Sequence, residues 1–142
     1  MACVLVVDNH DGVRSLLLSL LSRHFELCDE AENGRQAVAK VAKFYPDVVV
    51  LDLLMPEMNG MEVVPRIRKM APSTGIVLIS GCLPPRLGLE AARISGAEAY
   101  VEKYTAVRDL IPTIEAVLQD PSRRNGYRQD DCPQTRRPTF RA

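Results

Sequence analysis

The sequence predicts an α/β fold, in which five parallel β-strands form a doubly wound sheet with helices on both faces. Short apolar runs alternate five times with a polar turn and a stretch of helical periodicity, which is the pattern of successive βα units. The runs themselves, such as Val48-Val49-Val50-Leu51, are apolar without alternation. Such runs are typical of strands that are buried on both faces.

The five strands are predicted where these apolar runs lie. The run at 48–51 gives the strongest prediction and is expected to lie at the centre of the sheet, because β-branched residues favour strands and the run is too short for a helix. The run at 25–30 is the weakest. The remaining strands are predicted at 3–7, 76–79 and 99–101.

The intervening segments carry apolar residues at helical spacing. The first helix is predicted over 11–24, and the fourth, which begins at the Pro84-Pro85 pair and ends at Gly96, has a thin apolar face. The last helix is expected to begin near Asp109, with that residue as its N-cap. The reason is Pro112, which a helix tolerates best in its first turn.

Composition and charge predict one globular domain, residues 1–120, followed by a basic tail or linker without fixed structure, residues 121–142. The chain is 46% apolar and 25% charged, enough for a core. The last 22 residues hold six Arg and two Asp, so they carry +4 and the rest carries −4 in a chain of zero net charge. With no apolar run of membrane-spanning length and no signal-peptide pattern, a cytoplasmic protein without a membrane partner is expected.

The four cysteines form no CxxC pair and lie far apart in the sequence. In a cytoplasmic protein this pattern favours reduced, structural thiols over a disulfide or a metal site. That expectation covers Cys3, Cys28, Cys82 and Cys132.

Polar side chains follow the predicted strands where ligands bind in a parallel α/β sheet, at the carboxyl ends. Asp8 and Asn9 follow the first strand, Asp52 the third, Ser80 the fourth and Lys103 the fifth. Two carboxylates brought together at adjacent strand ends repel each other, and all-oxygen ligands favour Mg²⁺ as the compensating cation. A carboxylate can also attack phosphorus if positive charge neutralises the phosphoryl oxygens, and Lys103 supplies such a charge.

Four segments in order then resemble one known family, the receiver domains of two-component response regulators, which includes the stand-alone chemotaxis regulator. They are Val7–His10, Asp52–Pro56 with Gly60, Ile79–Gly81 and Tyr100–Lys103, within a match over about residues 3–119. The resemblance implies a flavodoxin-like sheet with strand order 2-1-3-4-5.

The resemblance also implies a phosphorylatable signalling switch rather than an enzyme. A histidine kinase or phosphotransfer protein would donate the phosphoryl group, and the face of the fourth helix, fifth strand and fifth helix would bind a downstream protein or a second copy of the chain. The implied roles are phosphoacceptor for Asp52, Mg²⁺ ligands for Asp8, Asn9, Asp52 and the Leu54 carbonyl, charge neutralisation for Lys103, and switching for Ser80 and Tyr100.

Two residues depart from the family pattern. Asn9 stands where the family usually has a second acid, which predicts weaker Mg²⁺ binding because one full charge is missing. Tyr104 stands where many relatives have Pro. The loss at Asn9 also motivates an alternative function, a phosphorylation-independent module for protein interaction.

Other classes of function fit less well. Phosphohydrolases with an aspartyl nucleophile need an acid two residues further on, where this chain has Leu54. No Gly-rich phosphate loop for flavin follows the first strand. The Arg pairs of the tail lack interleaved aromatic residues, so nucleic acid is not an expected partner unless a DNA-binding domain follows. Absence of a helix-turn-helix after residue 120 suggests a single-domain regulator, although the tail would also serve as an interdomain linker.

Overall fold

A computed structural model describes residues 1–120, which form a five-stranded sheet and five α-helices. The predicted tail, 121–142, lies outside the described residues. The elements in chain order are β1 Cys3–Val7, α1 Asp11–Leu21, β2 Glu26–Ala31, α2 Gly34–Phe44, β3 Val48–Asp52, α3 Gly60–Met70, β4 Gly75–Ser80, α4 Pro85–Ser95, β5 Ala99–Glu102, a 3-10 turn Lys103–Thr105, and α5 Ala106–Gln119.

The sheet is parallel throughout, with strand order β2-β1-β3-β4-β5, as predicted. The chain moves from β1 to one side for β2 and then returns to place β3 on the other side. This reversal leaves a crevice at the carboxyl ends of β1 and β3, the place where doubly wound sheets bind ligands. The register aligns Val7 with Leu51, so Asp8 and Asp52 emerge side by side.

Each face of the sheet is covered by its own apolar core, which confirms that β3 is central and buried on both sides. Val49 and Leu51 belong to the core with α2, α3 and α4, whereas Val48 and Val50 belong to the core with α1 and α5. All four are fully buried, and burial of each such side chain stabilises the fold by about 1.5–3 kcal/mol.

Two predicted helix boundaries were wrong. Helix α1 ends at Leu21 rather than near residue 24, where the amides of His24 and Phe25 both bond the Leu21 carbonyl, so that the i→i−4 ladder is not continued and the chain leads into β2. Helix α5 begins at Ala106, with Thr105 rather than Asp109 at the N-cap. The buried Ala106 anchors the first turn.

Pro112 therefore lies inside α5, not in its first turn. The carbonyl that its missing amide would have engaged belongs to Arg108, an exposed residue that water can reach. The next residue adds a local bond, since the Thr113 hydroxyl donates to the Asp109 carbonyl at 2.7 Å.

The expectation of reduced thiols was wrong for Cys3 and Cys28, which the structure joins in a disulfide between β1 and β2. The register of the two strands shifts between Val4 and Leu5, so Cys28 is an extra residue in β2 opposite β1. Although the two cysteines are 25 positions apart in sequence, neighbouring strands bring them together. Cys82 is a free, exposed thiol, and Cys132 lies outside the described residues.

No helix within residues 1–120 combines the length and apolar character needed to cross a membrane.

Candidate phosphoacceptor pocket

Three charged side chains meet where β1, β3 and β5 end. Asp8 and Asp52 are buried, with 0% and 2% of their surface exposed. Lys103 lies between them, with its Nζ 3.0 Å from Asp8 Oδ2 and 3.3 Å from Asp52 Oδ2. The sequence prediction that these strand ends converge is confirmed for these three residues.

The charges of this pocket do not balance, since two carboxylates share one ammonium. Burial, together with the nearby charge of Asp8, raises the pKa of Asp52 to about 6 against the opposing effects of Lys103 and the Leu54 amide. Burial disfavours the charged form of Lys103, but the two carboxylates outweigh it and raise the pKa of its ammonium. Asp52 is therefore a carboxylate of unusual basicity that still ionises near neutral pH.

One carboxylate oxygen of the pocket has no hydrogen-bond donor among residues 1–120. Asp8 Oδ1 accepts from the backbone amide of His10 at 2.8 Å, whereas the fully buried Oδ2 has only the ionic contact with Lys103, without hydrogen-bond geometry. Because Lys103 is shared with Asp52, one negative charge remains in excess, and a buried excess charge is costly unless a further cation compensates it. The pocket thus fits a small divalent cation.

The other predicted Mg²⁺ ligands lie at the rim of the pocket. Asn9 is exposed. Leu54 approaches through its backbone, with its amide 3.3 Å from Asp52 Oδ1, while its side chain is half exposed. Because residues 1–120 bring no three His, Cys, Asp or Glu together, a cation here would depend on two carboxylates plus neutral oxygens.

The predicted switch residues both contact the β4–α4 loop, 81–84: Ser80 precedes it at the end of β4, and Tyr100 reaches it from β5. Ser80 is buried, and its Oγ accepts from the Cys82 amide at 3.1 Å. That bond uses an oxygen lone pair, so the hydroxyl proton stays available to a second acceptor. Tyr100 is also buried, and its hydroxyl donates to the Leu83 carbonyl at 2.7 Å and approaches the Ser80 carbonyl at 3.3 Å.

Gly60 allows the start of α3 to approach the backbone at the end of β3 closely. A Cβ on Gly60 would lie 2.9 Å from the Asp52 carbonyl oxygen and 2.9 Å from Leu53 Cα. Only glycine fits there without moving backbone, and its amide donates to the Leu53 carbonyl at 2.7 Å. The start of α3 is thereby held against the end of the strand that carries Asp52.

Sequence reasoning missed Arg14, which holds the loop that carries Asp8. From the first turn of α1, its guanidinium donates to the Asp8 carbonyl, to Glu30 and to Asp11, each at 2.7 Å. The only sequence signal was an Arg four residues after the helix N-cap His10, where a side chain can reach back over the helix start. Tyr104, the other departure from the family pattern, lies in the 3-10 turn and is 81% exposed.

Comparison with known proteins assigns this fold and pocket to a family. The model of the response regulator receiver domain matches residues 4–115. The chain therefore belongs to the receiver domains of two-component signalling, which are signalling switches rather than classical enzymes.

Individual relatives agree with this assignment. The chain is 35% identical over 101 residues to the chemotaxis protein CheY of Thermotoga maritima, covering 70% of this chain and 83% of that protein. It is 36% identical over 123 residues to the transcriptional regulatory protein ResD of Bacillus subtilis, covering 84% of this chain but only 49% of ResD. A chain of the CheX–CheY–BeF3–Mg²⁺ complex from Borrelia burgdorferi superposes with a TM-score of 0.76 at 25% identity, covering 84% of this chain and 90% of that one.

Proposed function

We propose that this receiver domain works as a phosphorylation switch, in which Asp52 accepts a phosphoryl group from a histidine kinase or a phosphotransfer protein. The carrying observation is the contact of one ammonium with two buried carboxylates: Lys103 lies 3.0 Å from Asp8 and 3.3 Å from Asp52. Structural ion pairs are usually balanced, whereas this pocket holds an excess of buried negative charge.

The proposed reaction is an in-line transfer to a carboxylate oxygen. An Asp52 oxygen attacks phosphorus, the O–P bond forms, and the P–N bond of the donor phosphohistidine breaks with its electron pair returning to the imidazole nitrogen. The raised pKa of Asp52, about 6, makes this oxygen more nucleophilic than an ordinary carboxylate while it remains ionised at pH 7. Lys103 lies where its ammonium can pair with a phosphoryl oxygen.

The residues present also fit Mg²⁺, for which Asp8, Asp52, the Asn9 amide oxygen and the Leu54 carbonyl are the proposed ligands. When bound, Mg²⁺ would neutralise phosphoryl charge. The fit is supported by the unsatisfied, fully buried Asp8 Oδ2. In the CheX–CheY complex, BeF3 and Mg²⁺ occur together.

Phosphate on Asp52 would then reorganise the β4–α4 loop through Ser80. The Ser80 hydroxyl proton is available to a phosphoryl oxygen, and the Ser80 carbonyl lies 3.3 Å from the hydroxyl of Tyr100. A shift of Ser80 towards phosphate therefore changes the support of Tyr100.

The proposed readout surface is the face of α4, β5 and α5, where a downstream protein or a second copy of the chain would bind. Large apolar side chains are exposed there, among them Leu89 at 55% and Val107 at 68%. A groove of about 250 Å³ between α4 and α5 is lined by Leu89, Tyr100 and Pro112, among others. Tyr100 thus contacts both the switch loop and the proposed binding face.

Phosphorylation is tested by incubating the protein with acetyl phosphate and Mg²⁺ and measuring the intact mass. The wild-type chain should gain one phosphoryl group, and Asp52→Ala should gain none. Asp109→Ala is the matched control, because it removes a surface carboxylate of α5 and should leave the gain intact. No gain in the wild type, under conditions that label another receiver domain, would overturn the proposal and leave the phosphorylation-independent module as the alternative.

A further inference from the structure

The fourth helix lacks a side chain where the ring of Tyr100 packs against it. A Cβ built on Gly88 would lie 2.0 Å from Cε2, 2.1 Å from Cδ2 and 2.3 Å from Cζ of Tyr100. These distances are far below the 3.0 Å that Cβ atoms respect. The ring thus occupies the volume that any other residue at position 88 would need.

The glycine is not required by the backbone. Gly96 is the one glycine of the described chain with a positive φ, and Gly88 lies within the regular helix Pro85–Ser95. Glycine is among the least favourable residues inside a helix. Its presence at position 88 is therefore explained by space for the ring and not by helix geometry.

The space decides where the hydroxyl of Tyr100 can reach. With the ring against Gly88, Tyr100 is 8% exposed, and its hydroxyl donates to the Leu83 carbonyl at 2.7 Å beside the Ser80 carbonyl at 3.3 Å. If the ring were displaced, the β4–α4 loop would lose this support at both ends.

We propose that Gly88 is a positioning residue, which admits the Tyr100 ring to its buried site and so sets how firmly the β4–α4 loop is held. A side chain at position 88 would shift the ring towards the exposed orientation. The residue at position 88 thus controls whether the β4–α4 loop is bonded to the Tyr100 hydroxyl or free of it. As far as signalling is concerned, the inference rests on the proposed phosphorylation of Asp52, whereas the placement of the ring does not.

The first test is Gly88→Ala, compared with Gly12→Ala as the matched control. Gly12 lies in the first turn of α1, where a Cβ would make only ordinary contacts with the His10 ring at 3.7 Å. Alanine normally stabilises a helix relative to glycine. We therefore expect the melting temperature to be unchanged or higher in Gly12→Ala and lower in Gly88→Ala.

Repeating Gly88→Ala in a variant that lacks the Tyr100 ring shows whether the ring causes the lower melting temperature. In Tyr100→Ala, adding Gly88→Ala should raise the melting temperature, because every clashing ring atom is gone and only the helix preference remains. If Gly88→Ala alone does not fold, the double variant should still fold. A penalty that persists in the Tyr100→Ala background would overturn the proposal.

The position of the ring is followed by ¹⁹F NMR of protein labelled with 3-fluorotyrosine, with the Tyr100 signal assigned from Tyr100→Phe. In Gly88→Ala this signal should move to the solvent-exposed range, and a signal unchanged from wild type would overturn the proposal. With acetyl phosphate and Mg²⁺, the variant should still gain phosphoryl mass while its Tyr100 signal no longer responds. If the wild type gains no mass, the proposed phosphorylation fails, but the ring position and the melting temperatures still decide the role of Gly88.

Discussion

Two clusters of charge lie at opposite ends of the strands of the sheet, one at the amino ends (the amino edge) and one at the carboxyl ends (the carboxyl edge). They differ in how well their polar atoms are satisfied by hydrogen bonds. At the amino edge, Arg68 donates to the carbonyls of Pro72, Thr74 and Gly96 and to both oxygens of Glu98, with distances of 2.7–3.1 Å. Glu98 in turn accepts from the Ile76 amide. At the carboxyl edge, Asp8 and Asp52 share the single ammonium of Lys103.

The difference separates a structural ion pair from the charge cluster that we propose to be reactive. The Arg68 cluster balances its charges and its hydrogen bonds, so it joins α3, β4 and the start of β5 firmly. The pocket around Asp52 keeps an unsatisfied oxygen on Asp8 and a raised pKa on Asp52. Such unbalanced burial costs stability, and proteins retain it where chemistry needs it. Four substitutions test this contrast.

The largest effect is expected at the balanced cluster. Arg68→Met keeps much of the apolar stem but removes every donor, leaving three carbonyls and the Glu98 carboxylate without their partner. We expect the free energy of unfolding to fall by about 3 kcal/mol in urea denaturation. Phosphoryl incorporation from acetyl phosphate should be retained at a temperature where the variant is folded. A loss below about 0.5 kcal/mol would show that the cluster is not a structural anchor.

For Asp52→Asn in Mg²⁺-free buffer, we expect the free energy of unfolding to rise at neutral pH, whereas it falls for Arg68→Met. The carboxyl pKa of Asp52 is raised from 3.8 to about 6 in the folded chain. Between these values the folded state holds a proton that the unfolded state has released. The stabilisation of the folded state by this proton on Asp52 is thus complete below about pH 4, and it is lost as pH rises through about 6.

At pH 7.5 the wild type carries the buried charge and the Asn variant does not. The change in pKa corresponds to about 3 kcal/mol, and solvent access at the pocket reduces it, so Asp52→Asn should be more stable by about 1–2 kcal/mol. Denaturation at pH 7.5 and at pH 4 checks this, because the advantage should disappear at the lower pH. An Asn variant less stable than wild type at pH 7.5 would contradict the unbalanced pocket.

The third effect concerns the missing acid. Asn9→Asp adds a carboxylate at the rim of a site that already has two buried ones, and Mg²⁺ affinity should rise about tenfold, equivalent to about 1.4 kcal/mol. Titration followed by tyrosine fluorescence or NMR shifts measures the affinity, with Asp11→Asn as a control for general surface charge. Equal affinity in wild type and Asn9→Asp would show that the amide ligates as well as a carboxylate, or that Mg²⁺ binds elsewhere.

The contrast between the two edges also marks what the sequence could predict. Strand order and the meeting of Asp8, Asp52 and Lys103 follow from apolar runs that end in polar residues, because parallel strands present all carboxyl ends at one edge. Arg14 and Gly88 could not be predicted, since their roles depend on which atoms the fold places within 3 Å. The start of α5 was mispredicted because a local rule for Pro112 was given more weight than the burial of Ala106.

The smallest effect is expected for Glu98→Gln, which allows the two clusters to be compared by the same chemical change. Glu98→Gln at the amino edge is the same acid-to-amide change as Asp52→Asn at the carboxyl edge, yet we expect the opposite sign. The amide oxygen of Gln can take the place of Oε1 and still accept from Arg68 and the Ile76 amide, but the second oxygen that faces Arg68 is lost, together with the charge that strengthens these bonds. The free energy of unfolding should therefore fall by about 1 kcal/mol, measured by denaturation at pH 7.5 beside Asp52→Asn. If both amide variants were stabilised, burial of a carboxylate alone would explain the effect, and hydrogen-bond balance would not distinguish the two clusters.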